Sequence, residues 1–425
     1  MTRTRRYAVM VVVTALLAAG LAGQTPSAAA SSAQRVKGDF IIQLRRGVDP
    51  RSESSAIARR YGGSVSYTYD AAISGFDFRG PDQAAAALRK DPRVASVDPD
   101  YIVRAVDVPP DAADHLETTR SNCTLSDIVT GPPAECQIGS AQVPTAYQSG
   151  YSGLGTVIGI LDTGVRASHP FFQSHHNVIG SYGGCVGGAT DLNGHGTATA
   201  SNAAGRVGVA HEASIFSIKV FPGSSESTTW SKVICGLNYV RKYNGLHPGT
   251  KIGVINLSIA GAGVAALRKA IENVIASSVV VVAAAGNDNG GAVEQPASYP
   301  GVISASALNH MGTKFASFSA RHADMAAPGV SIFSANLSGG GDSTRSGTSR
   351  SSPQIAGAAA VVLALGTLPG NVQNVLVTTG RCRSAGHRGS TPCSQNWSGG
   401  SNEPLLDTYC AARSVVGPPD LTNCS

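Results

Sequence analysis

Three short segments carry side chains that together could turn a hydroxyl into a nucleophile. Ile160-Leu161-Asp162-Thr163-Gly164 places an acid at the end of an apolar run, followed by glycine. Asn193-Gly194-His195-Gly196-Thr197 sets an imidazole between glycines, and Gly347-Thr348-Ser349 sets a serine ahead of an Ala-rich stretch. A serine hydroxyl at its ordinary pKa is a feeble nucleophile and needs a neighbouring imidazole to take its proton. The imidazole in turn needs a buried carboxylate to fix its tautomer and stabilise the cation that forms. Asp162, His195 and Ser349 are the right types for those three tasks. Taken singly, each has an ordinary use as a turn, a structural histidine or a helix N-cap. An aspartic dyad is excluded, because Asp-Thr-Gly occurs once.

A fourth segment supplies a hydrogen-bond donor. The apolar run Val279–Ala285 ends at Gly286-Asn287-Asp288, where the Asn287 amide could stabilise an oxyanion; the plain alternative is a turn asparagine. A helix starting at Ser349 would aim a backbone N–H and the positive end of its dipole at the same charge. Glycines beside His195 let backbone approach closely, leaving room for a substrate chain.

The elements that must hold these groups can be read from periodicity. Val157–Leu161, Ile252–Ile259, Val279–Ala285 and Val302–Ala307 are nearly continuous apolar runs, as in parallel strands buried on both faces. Helical stretches lie between them at Thr197–Ala204, Thr229–Tyr243, Val264–Ser277 and Ser349–Leu365. This alternation predicts an α/β fold with a doubly wound, mainly parallel sheet and a site at the strands' carboxyl ends. Upstream, Asp39–Leu44, Ser54–Tyr61, Gly63–Tyr69, Ile73–Phe78, Pro81–Lys90 and Val94–Val97 read as β-α-β-β-α-β. That is a small ferredoxin-like α+β module. Val106–Gln142 is Pro-rich and irregular, a linker plus a tethered arm.

Charge and cysteine placement divide the chain. The net charge of +6 lies wholly before residue 106, since the 18 basic and 18 acidic residues after it cancel. Nucleic-acid or membrane-surface binding needs clustered Lys and Arg, and residues 106–425 have no such block. Residues 1–30 combine Arg3, Arg5 and Arg6, an apolar run from Tyr7 to Leu21, and Ala28-Ala29-Ala30. This is the layout of a secretory signal peptide, so a secreted, extracellular protein free of the membrane after signal removal is expected. All 8 cysteines lie in 106–425 and are expected to pair in an exported chain. Sequence-local pairs, Cys123–Cys136 and Cys382–Cys393, are the simplest guess among many connectivities.

With these motifs in place, the chain resembles the subtilisin-like serine peptidases. The resemblance rests on VIGILDTG, NGHGT, Gly208–Phe221, Val254–Gly261, VVAAAGNDN, Ala327–Gly329 and Gly347–Gly357, and spans most of 155–410. It implies a secreted serine endopeptidase with Asp162, His195 and Ser349 as triad, acting through an acyl-enzyme, and Asn287 in the oxyanion hole. Ser258-Ile259-Ala260 should pair with the substrate backbone, and Ala284-Ala285-Gly286 should form the other wall of the pocket. The partners implied are protein and peptide substrates and the chain's own propeptide, acting as an intramolecular inhibitor on a monomer. The domains are then a signal at 1–30, a propeptide at 31–105 and a peptidase domain at 106–425, made as a self-processing zymogen cut near Ala105-Val106.

Several positions depart from the family pattern. Arg350, Ser351 and Ser352 stand where Met and two small residues are usual, and Ala260 stands where Gly is usual. Arg350 could alter the site's electrostatics or lie outward toward solvent, and with Ala260 it leaves a weakly active binding module as the rival reading. No cofactor is expected for catalysis. The resemblance matches Asp324 and the carbonyl of Pro296 to a structural calcium site, calcium being an ion that takes oxygen ligands. The alternative is that Asp324 caps a turn before Ala327-Pro328-Gly329.

Overall fold

The computed structural model describes residues 33–108, 146, 149–309, 314–342, 345–380 and 403–416. The expected signal segment, most of the Pro-rich linker, and Cys123, Cys136, Cys382, Cys393 and Cys424 lie outside the described residues.

The small module runs β1 (Arg35–Leu44), α1 (Pro50–Arg60), β2 (Thr68–Tyr69), β3 (Gly75–Arg79), α2 (Ala84–Leu88), β4 (Val94–Ala105). Its antiparallel strands lie in the order β4-β1-β3-β2, the ferredoxin-like arrangement. Helix α1 begins where Asp49 accepts from the Arg51 N–H, with Pro50 in its first turn. Side chains alternate across β1. Phe40, Ile42 and Leu44 pack with Ile57, Phe76, Phe78 and Leu88 inside the module, while Ile41 joins the core of the larger domain. Both faces of the module's sheet are therefore covered, one of them by the larger domain.

That larger domain contains β5 (Val157–Asp162), α3 (Pro170–Gln173), β6 (Val178–Tyr182), α4 (His195–Ala203), β7 (Ser214–Lys219) and β8 (Ser227–Thr229). It continues with α5 (Trp230–Leu246), β9 (Ile252–Leu257), β10 (Ile259–Ala260), α6 (Ala265–Ile275), β11 (Val280–Ala284), β12 (Val302–Leu308) and β13 (Met325–Pro328). After β14 (Ser334–Ala335) and β15 (Gly341–Asp342) come α7 (Thr348–Ala364), α8 (Val372–Thr379) and α9 (Thr408–Val416). Seven strands form one sheet in the order β13-β12-β11-β9-β5-β7-β6, with every neighbouring pair parallel. Val157 and Leu161 of β5 face the core packed by α5 and α6, while Ile158 and Ile160 face the one packed by α4 and α7. Burial on both faces explains why these strands read as unbroken apolar runs. The winding reverses about β5, which puts a crevice at its carboxyl end, where Asp162 sits.

Three features go beyond expectation. Strands β6, β7 and β13 complete the sheet without having been anticipated; β6 (Val178–Tyr182) alternates and is only half-buried, while β7 and β13 are buried but short. The strand expected at Val94–Val97 runs on through Asp98-Pro99-Asp100 to Ala105, because its far half pairs with the larger domain. A third feature went unpredicted: a disulfide within the described residues joins Cys185, after β6, to Cys235 in α5, and it leaves the guesses Cys123–Cys136 and Cys382–Cys393, outside the described residues, untouched. Among the described residues no helix is long and apolar enough to cross a membrane.

Candidate active site

Asp162 ends β5 and His195 opens α4, and the two side chains meet. His195 Nδ1 lies 2.7 Å from Asp162 Oδ1, and both side chains are buried. Asp162 Oδ1 also accepts from the Thr163 N–H at 2.7 Å. The close approach depends on Gly196, where a Cβ would fall 2.1 Å from the Gly164 carbonyl oxygen and 3.1 Å from Asp162 Cβ. The glycine therefore serves the contact between His195 and its carboxylate, not room for a substrate.

Asp191, not anticipated from the sequence, builds the entrance to α4. Its carboxylate accepts from the Asn193, Gly194 and Thr197 N–H groups at 2.9–3.0 Å and from the Thr163 and Thr197 hydroxyls at 2.9 and 2.6 Å. Burial pushes this carboxyl up, but the hydrogen bonds outweigh it and leave the pKa lowered. The readable signal was the Asp-x-Asn-Gly stretch, which has turn chemistry.

Ser349 sits in the first turn of α7, fully buried, and the Asn287 side chain lies across from it. Asn287 Oδ1 accepts from the Thr348 N–H and Oγ1, both at 3.0 Å, which fixes its rotamer and turns Nδ2 into the cleft. Ala284, Ala285 and Gly286 are the buried stretch leading to Asn287, with the Gly286 N–H donating to Thr348 Oγ1 at 3.2 Å.

The cleft is occupied by the chain itself. Arg104 and Ala105 of β4 pair antiparallel with Ala260 and Ile259 of β10, while Ile102–Arg104 pair with β8 on the other side. The Val106 N–H donates to the Ser258 carbonyl at 3.2 Å. The Val106 carbonyl then accepts from Asn287 Nδ2 at 3.0 Å and, more weakly, from the Ser349 N–H at 3.4 Å. Gly347 makes this possible, since a Cβ there would lie 2.3 Å from that carbonyl oxygen. Val103 packs against Trp230 in the larger core. A cavity of about 530 Å³ beside the tail is lined in part by Val106, Ala260, Asn287 and Glu294.

One contact departs from a simple triad. Ser349 Oγ donates to Asp107 Oδ1 at 2.6 Å, and His195 Nε2 lies 3.4 Å from the same oxygen. Arg350 does not lie outward. It is 0% exposed and meets both Asp107 oxygens with Nη2 at 2.8 Å, its Nε lying 3.1 Å from Oδ1. Arg345 Nη1 adds a contact to Asp107 Oδ2 at 2.8 Å. Burial pushes the Asp107 carboxyl up, but Arg350, His195 and Arg345 outweigh it and hold it well below the usual carboxylate range. Burial likewise pushes His195 down, yet Asp162 and Asp107 more than offset this and raise it to about 9.

Asp324 and Pro296 take no part in this constellation. Asp324 Oδ2 accepts from the Ser304 N–H and hydroxyl at 2.9 and 2.6 Å, and Oδ1 from Gln373 Nε2 at 2.8 Å. The Pro296 carbonyl accepts from the Tyr299 N–H at 3.0 Å. Each of these oxygens thus has a protein donor, in keeping with the turn-capping alternative for Asp324. Among the described residues no group of three His, Cys, Asp or Glu side chains is placed to hold a metal.

Comparison with known proteins agrees with this geometry. Residues 153–392 match the subtilase family, and residues 22–105 match the peptidase inhibitor I9 family. The chain is 35% identical over 297 residues to the subtilisin-like serine protease Pen ch 13 of Penicillium rubens, covering 69% of this chain and 70% of that protein. It is 30% identical to the alkaline serine protease ver112 of Corniculantispora psalliotae, over 82% of this chain and 88% of that one. Among solved structures, fervidolysin from Fervidobacterium pennivorans superposes with a TM-score of 0.69 at 22% identity, covering 91% of this chain and 62% of that one, which bears on the fold alone. The parallel sheet, the inhibitor-type module lying in the cleft and a family match across more than half of the sequence lead to one conclusion: this chain belongs to the subtilase family of serine proteases.

Proposed function

We propose that the chain is a secreted zymogen that cuts itself between Val106 and Asp107 and then hydrolyses other peptides by the same path. The observation that carries this is the Val106 carbonyl, lying against Asn287 Nδ2 and the Ser349 N–H as an acyl group awaiting attack would. Ser349 Oγ adds to the Val106 carbonyl carbon as its proton passes to His195 Nε2. Asn287 and the Ser349 N–H hold the negative oxygen. His195 then protonates the Asp107 nitrogen, the C–N bond breaks, and an ester of Val106 on Ser349 remains. Water, deprotonated by His195, hydrolyses that ester. Asp162 holds the imidazole in the required tautomer and stabilises its cation. Side chains of the protein carry every proton transfer.

This places the cut one residue beyond the boundary expected at Ala105-Val106. A substrate takes the place of β4 as an extended strand along Ser258–Ala260. Export follows from the N-terminal segment, which carries a signal-like pattern. N-terminal sequencing of the secreted protein tests the reading. The wild-type chain should begin at Asp107 before any later trimming, and Ser349→Ala should stay joined to its module. A Ser349→Ala protein cut at the same bond, or a wild-type product beginning at Val106, would overturn it.

A further inference from the structure

We infer that Arg350 and Arg345 form an acid-binding subsite on the leaving-group side of the cut, selecting peptides with Asp or Glu directly after the cleaved bond. The inference rests on the proposed cut, which makes Asp107 the first residue of the departing side. The Asp107 carboxylate receives three contacts of 2.8–3.1 Å from Arg350 and one of 2.8 Å from Arg345. Planar guanidinium against carboxylate is a geometry that lysine or a neutral donor cannot reproduce.

Burial gives the site its selectivity. Arg350 is 0% exposed, and among the described residues its Nη1 has no hydrogen-bond partner, so its side-chain bonds go to the acid. A guanidinium does not shed its proton in a protein, so the group cannot neutralise itself when Asp107 leaves. When the acid departs, Arg350 loses the ion-pair partner it has among the described residues, and its charge faces the emptied cleft. An incoming anionic side chain restores that partner, and a neutral side chain does not. Arg345, with its side chain 31% exposed, lies at the solvent side of the same carboxylate.

Binding in this subsite has a second consequence. The acid that Arg350 holds also accepts the Ser349 hydroxyl, in competition with His195. An acidic residue after the cut should therefore lower KM more than it raises kcat.

The test uses the matured protease and peptides spanning residues 101–110, carrying Asp, Asn or Ala at position 107. Both turnover and binding by fluorescence anisotropy are measured. The Asp peptide should bind or show a KM about 10- to 100-fold tighter than the Asn peptide, as expected for charge-assisted hydrogen bonds in a buried site. In Arg350→Met the Asp-to-Asn ratio should fall to near unity, and in Arg345→Gln it should fall part of the way. Comparing peptides within one enzyme cancels any general loss of activity, and Arg345→Gln gives a reading if Arg350→Met does not fold. Equal affinity for Asp and Asn peptides in the wild-type protein would overturn the subsite. If the Ala peptide were still cut, the hydrolase reading would survive that result. Cleavage of no peptide would overturn the hydrolase reading, while anisotropy would still decide on the subsite.

Discussion

The hydroxyl of Ser349 gives its hydrogen bond to the carboxylate of Asp107 at 2.6 Å, not to His195. In the uncut chain the nucleophile and its base are thus both turned toward one anion, which Arg350 and Arg345 hold from the other side. On the proposed cut, the residue after the scissile bond would act as a wedge between the two groups that must exchange a proton.

This predicts an alkaline dependence of self-cleavage. Burial lowers the pKa of His195 and Arg350 opposes protonation too, but Asp162 and Asp107 prevail and raise it to about 9. A raised histidine pKa keeps the ring protonated at neutral pH, and a protonated ring cannot accept the Ser349 proton. Conversion of precursor, followed on gels across pH, should therefore rise toward a plateau above about pH 9. Asp107→Ala removes one source of the shift and the acceptor that holds Ser349, so the midpoint should move to lower pH. A profile unmoved by that change would contradict the wedge.

Asn287 should matter to kcat and little to KM. Its Nδ2 meets the Val106 carbonyl now and should meet a stronger charge in the tetrahedral intermediate. Asn287→Ala is expected to lower kcat on peptides by about 10²–10³, or about 2.7–4 kcal/mol, a range established for subtilisin itself. Steady-state kinetics decides, and a loss confined to KM would assign Asn287 to ground-state binding instead.

Asp98 and Asp100 should strengthen the hold of the module on the enzyme. Helices α5 and α6 lack a side-chain N-cap of their own. Asp100 Oδ1 accepts from the Ser231 N–H at 3.2 Å and Asp98 Oδ2 from the Ala266 N–H at 3.0 Å, so the module supplies both caps. In a Ser349→Ala precursor, Asp98→Ala and Asp100→Ala should each cost about 0.5–2 kcal/mol, read as a shift in denaturation midpoint. Midpoints unchanged by both would show that solvent caps these helices equally well.

Much of the site was legible because its parts lie at the ends of strongly patterned elements. Asp162, His195, Asn287 and Ser349 each close an apolar strand or open a helix, and the sheet brings those ends together. What was not legible depends on contacts distant in sequence. Asp107 looked like one more residue of an irregular linker, and only pairing of β4 with β8 and β10 carries it to Ser349, 242 positions away. Arg350 could be noticed as unusual but not aimed, since its direction depends on where that carboxylate lies. The β6 strand hid because an edge strand half-exposed to solvent need not be uniformly apolar.

Strand β4 is shared between two sheets, pairing with β1 over its first half and lying between β8 and β10 at its end. Breaking one peptide bond after it removes none of those hydrogen bonds. If the chain cuts itself as proposed, activation should be a two-stage timer in which covalent scission starts the clock and withdrawal of the strand stops it. Loss of the precursor band should run ahead of the onset of turnover, and the lag should shorten when competing substrate is present to fill the slot.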